Sequence, residues 1–292
     1  MTSIYSRYEV TFANPNTTWA RAAAMVGDNS VVLDVGCSAG QFAEALTASR
    51  GCVVDGVEIE AEAAEVAKTR CRDVFVGDLL TVIPRLSNLY DHVLMLDVIE
   101  HLADPGGSLA AAASVLRPTG TAVVSVPNMA HASVRLQLLQ GHFPPTEEGL
   151  LDRTHLHFFD EFTFLDLISA SPLVCETLDR VLVDVPRDVV VDSLKAVGLP
   201  LTERFEDLIW SREASTYQFV AKLRHRGPDE LSSPAPRPAY VAPLDQYRSL
   251  LGQLQDRIAR LEGELRERAA NSIRLPKRLL WAKRLLARLR SR

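Results

Sequence analysis

An α/β fold built on a mostly parallel, seven-stranded sheet is predicted by three features of this sequence. From Val31 to about Phe219, short β-branched or apolar runs alternate with stretches of helical periodicity. The stretches between the first five runs ("GQFAEALTAS", "EAEAAEVAKT", "GSLAAAASVL") are rich in Ala and Leu and bounded by Gly or Pro, as good helices are. With 292 residues and 47% hydrophobic content, the chain is long enough to bury a substantial core.

In order, the predicted strands are "VVLDV" at 31, "CVVDGVE" at 52, "DVFVG" at 73, "DHVLML" at 91, "GTAVVSVP" at 120, "VCETLDRVLVD" at 174 and "TYQFVAKL" at 216. Between the fifth and sixth, the spacing predicts a helix to about Gln140, a Gly/Pro loop, the stretch "DRTHLHFFD" (152–160) and a further helix near Asp160. After Lys222 the composition changes. "RGPDELSSPAPRPAYVAP" puts five prolines into 18 residues and reads as an extended linker. The predicted organisation is a domain over 1–225, a Pro-rich linker over 226–243, a coiled coil over 244–270 and a basic amphipathic tail over 271–292.

Leu244, Tyr247, Leu251, Leu254, Ile258, Leu261 and Leu265 recur at alternating spacings of 3 and 4, a heptad seam suited to a homodimer or trimer. A lone amphipathic helix is the alternative. In the tail, Leu275, Leu279, Ala282, Leu286 and Leu289 share a helical stripe, with Trp281 beside it and Lys and Arg around it. Such a helix suits an anionic membrane surface, ahead of a nucleic acid, which is not expected as a partner, or plain solvation. The last twenty residues hold eight Lys or Arg and no acid, so the formal charge of −5 hides a rest-of-chain charge of −13.

No run approaches the roughly 18 apolar residues of a spanning helix, and the N-terminus lacks the basic and apolar regions of a secretory signal. Cytoplasmic residence is expected, peripheral at the inner membrane face if the tail binds there. Cys37, Cys52, Cys71 and Cys175 are scattered with no CxxC pair, so free thiols are expected and a structural zinc is not.

The most informative stretch is "VVLDVGCSAGQFAEAL" (31–46). A strand ends near Asp34, and a turn containing Gly36 and Gly40 opens into a helix whose free N–H groups and bare glycines admit a close ligand. Glu58 then closes the second strand, Asp78 follows the third, and "LMLDVIEHLADP" follows the fourth. In this order the chain resembles the class I S-adenosylmethionine-dependent methyltransferases over about residues 17–224, and the resemblance implies a Rossmann-like sheet. It also implies that Asp34, Gly36, Cys37, Ser38 and Gly40 hold the methionine part of the cofactor. Glu58 would take the ribose hydroxyls with Ile59 on the adenine, Asp78 and Leu79 would meet the adenine amino group, and Asp97 would face cofactor and acceptor.

"DVIEHLADP" with "VSVPN" is similar to the ubiquinone-biosynthesis type of O-methyltransferase and, more loosely, to methyltransferases of small-RNA 3′ ends. That similarity implies a divalent metal on Asp97, Glu100, His101 and His155, or else a His101 that only shapes the pocket. A mixed imidazole and carboxylate set suits a transition ion, which would lower the pKa of an acceptor hydroxyl.

The second group with catalytic potential is Asp152, His155 and His157. If 154–158 is extended, His155 and His157 face the pocket while Leu156 and Phe158 anchor the segment; on a helix the two imidazoles would stand about 200° apart. His155 is the expected general base, Asp152 its orienter, and His157 and His101 the alternates. "DRTHLHFF" also resembles an element of bacterial methyltransferases of surface-glycan and glycolipid synthesis. The expected function is O-methylation of a sugar hydroxyl on a polysaccharide, glycolipid or nucleotide sugar. A quinone or secondary-metabolite methyltransferase and a non-catalytic scaffold are the alternatives.

Overall fold

The structure is a computed structural model and describes residues 10–230 except Ser87 and Asp229. The chain divides into two units, Met1–Pro236 and Arg237–Arg292. The second, which takes in the predicted coiled coil and basic tail, lies outside the described residues, as does the linker from 231 to 243.

Seven strands form one sheet: β1 (Val31–Val35), β2 (Val53–Glu58), β3 (Val74–Val76), β4 (Tyr90–Leu96), β5 (Leu116–Pro127), β6 (Leu173–Leu182) and β7 (Thr216–His225). Their order is β3-β2-β1-β4-β5-β7-β6. The first five run parallel, while β7 lies antiparallel between β5 and β6. The switch of strand order between β1 and β4 opens a crevice at the carboxyl ends of the strands, where open α/β sheets bind ligands.

Helices α1 (Thr18–Met25), α2 (Gln41–Arg50), α3 (Ala61–Ala67), α4 (Leu79–Val82) and α5 (Pro105–Ser114) accompany the parallel half. They are followed by α6 (Ala132–Leu139), α7 (Glu161–Ser169), α8 (Arg187–Ala196), α9 (Glu203–Ile209) and α10 (Arg212–Ser215). Local chemistry starts each of the helices that frame the crevice. Asp78 caps α4, Asp104 caps α5 ahead of Pro105, and Asp160 with Thr163 closes a capping box on α7.

One apolar cluster joins Leu33, Val93, Met95, Leu109, Val124, Phe164 and Phe219; another joins Val32, Phe42, Leu46, Val54, Leu94 and Val220 on the opposite side of the sheet. Alternate residues of β1 and β4 therefore enter different cores, the period-2 pattern of a sheet covered on both faces. Beneath the crevice, fully buried Asp55 is met by both arms of the Arg72 guanidinium (2.8 and 2.5 Å) and by the Tyr90 hydroxyl (2.9 Å). The loss of hydration at this buried carboxylate is thus offset by a full set of donors.

Candidate active site

The turn after β1 (Val31–Val35) is held largely in left-handed backbone. Gly36, Ser38 and Gly40 all have positive φ (71°, 49° and 80°). A Cβ on Gly36 would stand 2.7 Å from Cγ2 of Val98, so glycine is required there by backbone angle and by space. The amides of Gly36 and Cys37 donate to the Val57 carbonyl, and that of Ser38 donates to Oε2 of Glu58 at 2.7 Å. The other Glu58 oxygen accepts from the Glu60 amide at 2.8 Å. This locks the carboxylate at the end of β2 against the turn, and each oxygen keeps lone-pair capacity for a further donor.

Asp34 is buried with Oδ2 unpartnered, as is the Ser38 hydroxyl. Burial, reinforced by the charge of Glu58, pushes the Asp34 carboxyl up to about 7. The Cys37 side chain turns away into the core beside Cys71 and Gly56, so this residue can offer a ligand its backbone only. Leu79 is likewise buried in the core, whereas Ile59 is 70% exposed at the rim. Asp78 accepts from the Leu80 amide at 2.8 Å.

Asp97, just past β4, has a φ of 54° that turns it back onto the sheet. Its Oδ1 accepts from the Ser125 hydroxyl (2.7 Å) and its Oδ2 from Nε2 of Gln218 (2.8 Å). Gln218 is in turn bonded to the Thr18 hydroxyl. Burial raises the Asp97 carboxyl in spite of these two donors.

Three residues further on, the 3₁₀ turn Ile99–His101 presents Glu100 and His101. Glu100 is fully buried, and both of its carboxylate oxygens lack a hydrogen-bond partner. Burial first, then the charges of Asp97 and Asp152, raise this carboxyl well above its ordinary value. Its backbone carbonyl accepts from the amides of Leu156 (2.8 Å) and His157 (3.0 Å), fastening "DRTHLHFF" to the turn. One ligand atom each from Glu100, His101 and His155 lie within 4.8 Å of one another. The two imidazoles meet edge to face with centroids 4.8 Å apart. Nδ1 of His155 is buried without a partner, and burial first, then His101, lower its pKa against the opposing effects of Asp152 and the Leu150 backbone.

Of the four residues assigned to a metal by sequence, three converge and Asp97 stands outside the group. His157 stacks on Phe159 at 6.1 Å instead of joining His155. Leu156 and Phe158 are 60% and 48% exposed, contrary to their expected anchoring role; Leu150, Leu151 and Phe159 are buried instead. Residues 155–159 do alternate, with His155, His157 and Phe159 turned inward and Leu156 and Phe158 outward; a turn at 149–155, with Gly149 at positive φ and the Asp152 and His155 amides donating to the Gly149 and Asp152 carbonyls, leads into this stretch. Asp152, expected to orient His155, accepts from the amide (2.8 Å) and hydroxyl (2.6 Å) of Thr154, while its charge also favours protonated His155.

Three residues of the site escaped the sequence reading. Thr154 carries the local signal of an Asp-x-Thr turn; Ser125 and Gln218 carry none, because only strand pairing brings them to Asp97.

A family profile described as a methyltransferase domain matches residues 14–176. The chain belongs to this methyltransferase family. The fold agrees: a SAM-dependent methyltransferase from Archaeoglobus fulgidus superposes with a TM-score of 0.51 at 16% identity, covering 76% of this chain and 97% of the other. The chain is thus a class I methyltransferase with S-adenosylmethionine as its cofactor.

Among relatives, a ubiquinone biosynthesis O-methyltransferase of Saccharophagus degradans is 34% identical over 103 residues, 33% of this chain and 43% of that protein. One of Xanthomonas campestris pv. campestris is 28% identical over 128 residues, 42% and 53% of the respective chains. The chain thus spans about half the length of the curated relatives it matches.

The donor set beyond β4 also fits a metal. Two imidazoles and a carboxylate are ligands for a divalent transition ion, and a buried carboxylate with no donor on either oxygen is otherwise a costly arrangement.

Proposed function

We propose that the protein transfers the methyl group of S-adenosylmethionine to a hydroxyl of an acceptor seated against Glu100, His101 and His155. The observation that carries this reading is the unpartnered, buried Glu100 carboxylate beside two imidazoles, immediately past the strand that supports Asp97. Methyl transfer is an in-line displacement, so the chain's tasks are to align the acceptor and to take its proton. His155, whose Nδ1 has no protein partner, would take that proton. A divalent ion held by Glu100, His101 and His155 would lower the pKa of the hydroxyl at the same place.

A quinone-type aromatic hydroxyl is the acceptor favoured by two observations. The relatives are named for ubiquinone biosynthesis. Apolar side chains also stand exposed beside the imidazoles: the Phe158 ring lies 6.4 Å from His155 and 5.8 Å from Phe143, with Leu156 alongside. The second reading, a sugar hydroxyl of a lipid-linked saccharide, is supported by the resemblance of "DRTHLHFF" to the surface-glycan enzymes. Either acceptor would suit a chain that self-associates through 244–270 and rests on a membrane through 271–292. Among the described residues no helix is long and apolar enough to cross a membrane.

The test is transfer of labelled methyl from S-adenosylmethionine to an alkyl catechol and to extracted glycolipid, before and after chelation. Labelled catechol supports the first reading and labelled glycolipid the second; transfer to neither would refute both. His155→Ala should lower turnover by about 100-fold or more, the scale of a lost general base, at unchanged affinity for S-adenosylhomocysteine.

A further inference from the structure

We infer that Asp152 and Thr154 are positioning residues that fix the tautomer of His101 and aim its Nε2 lone pair into the acceptor site. The inference rests on the reading of Glu100, His101 and His155 as ligands, and it is carried by a chain of hydrogen bonds whose directions are forced. Asp152 is buried, and its Oδ1 takes both the Thr154 amide at 2.8 Å and the Thr154 hydroxyl at 2.6 Å. A carboxylate only accepts, so the hydroxyl hydrogen of Thr154 is committed to Asp152. What Thr154 then shows to its other side is acceptor alone: Oγ1 stands 3.1 Å and the backbone carbonyl 3.3 Å from Nδ1 of His101.

Nδ1 must therefore carry the hydrogen. In the neutral ring this leaves Nε2 bare, with its lone pair free for an ion or an acceptor proton. Without this constraint the ring could place its hydrogen on Nε2 and present a donor to the buried Glu100. The arrangement is the outer support that metal-binding histidines commonly have, one ring nitrogen held by an oxygen and the other left for the ion. It gives Thr154 a function and links Asp152, whose charge also acts on His155, to His101. The Asp-x-Thr turn is also what bends the chain so that His155 follows at the right place, its amide donating to the Asp152 carbonyl at 3.1 Å.

Two measurements on the full-length chain test this. The first is the long-range ¹H–¹⁵N spectrum of the histidine rings with no metal added, in which His101 should appear as the Nδ1–H tautomer; an Nε2–H tautomer would overturn the inference whatever the site binds. The second is titration with Co²⁺, read by its visible absorption. Thr154→Val, which keeps the shape and removes the hydroxyl, should weaken Co²⁺ about 10-fold or more, the usual scale for losing such a support. Thr154→Ser should restore it, and affinity for S-adenosylhomocysteine should not change in either variant. Wild-type affinity in Thr154→Val would overturn the relay while leaving the ligand reading in place. A wild-type chain that binds no Co²⁺ would remove the ligand reading and the relay's purpose with it.

Discussion

Replacing Glu100 by Leu should make the metal-free protein more stable and abolish its response to metal. Glu100 is fully buried, and neither carboxylate oxygen has a hydrogen-bond partner. An unsatisfied buried polar group costs about 1–3 kcal/mol. Leucine removes both oxygens, so at the low end of that range for each the gain is about 2 kcal/mol. For a domain of this size 1 kcal/mol moves Tm by about 2–4 °C, which puts the expected rise at about 4–8 °C in chelator. With Co²⁺ at about 100 times its dissociation constant, the wild type should gain about 2.7 kcal/mol and the Leu variant nothing. Scanning calorimetry of both chains, with chelator and with Co²⁺, measures all four values. The reasoning fails if Glu100→Leu melts below the wild type in chelator, or if the ion stabilises the two chains equally.

Three further outcomes are expected. Gly36→Ala, with its Cβ 2.7 Å from Val98 and φ at 71°, should lose about 1–2 kcal/mol of stability from the left-handed backbone and most of its affinity for S-adenosylhomocysteine; calorimetric binding at wild-type strength would contradict the close approach. Glu58→Gln should weaken S-adenosylhomocysteine by about 10-fold, since a charge-assisted hydrogen bond is worth about 1.5–3 kcal/mol, and titration calorimetry would show it. His92 accepts from the Gly27 amide at 3.0 Å and pairs with the Thr121 hydroxyl at 2.8 Å; burial lowers its pKa, with Asp91 opposing and Lys222 assisting. The unfolded chain thus binds the proton more readily, so stability is full above the ordinary value of 6.5 and is lost as pH falls through the folded value. Urea midpoints should fall with pH in that window for the wild type, and less steeply for His92→Gln.

The sheet and the cofactor turn were legible because their signals are local. The first four strands are short, largely apolar runs ended by an acid or a glycine, and Gly36 and Gly40 sit where the backbone must be left-handed. The segment after α6 was legible in composition but not in direction. Alternation separates the two faces of an extended chain but does not say which of them is buried: His155, His157 and Phe159 turn inward, and Leu156 and Phe158 stand outside. Gln218 was beyond sequence reasoning of any kind. Its position follows from the antiparallel insertion of β7 between β5 and β6, a pairing made across some ninety residues of intervening chain, Pro127 to Gln218.

Sequence spacing groups Asp97 with Glu100, yet the chain puts the two carboxylates to different uses. The left-handed φ of Asp97 turns it toward Ser125 and Gln218, which satisfy it, while the 3₁₀ turn buries Glu100 with no donor at all. A satisfied carboxylate is a fixed negative point for a cationic cofactor; an unsatisfied one needs a ligand of its own. Gln218→Leu separates these roles. It removes one donor from buried Asp97 and strands the Thr18 hydroxyl, a loss of about 1–3 kcal/mol. Turnover should fall if Asp97 faces the cofactor, because its carboxylate is displaced, whereas Co²⁺ affinity should stay at the wild-type value, because Glu100, His101 and His155 share none of these bonds. A parallel loss of turnover and Co²⁺ affinity would mean that Asp97 belongs with Glu100 after all, as the spacing alone suggests.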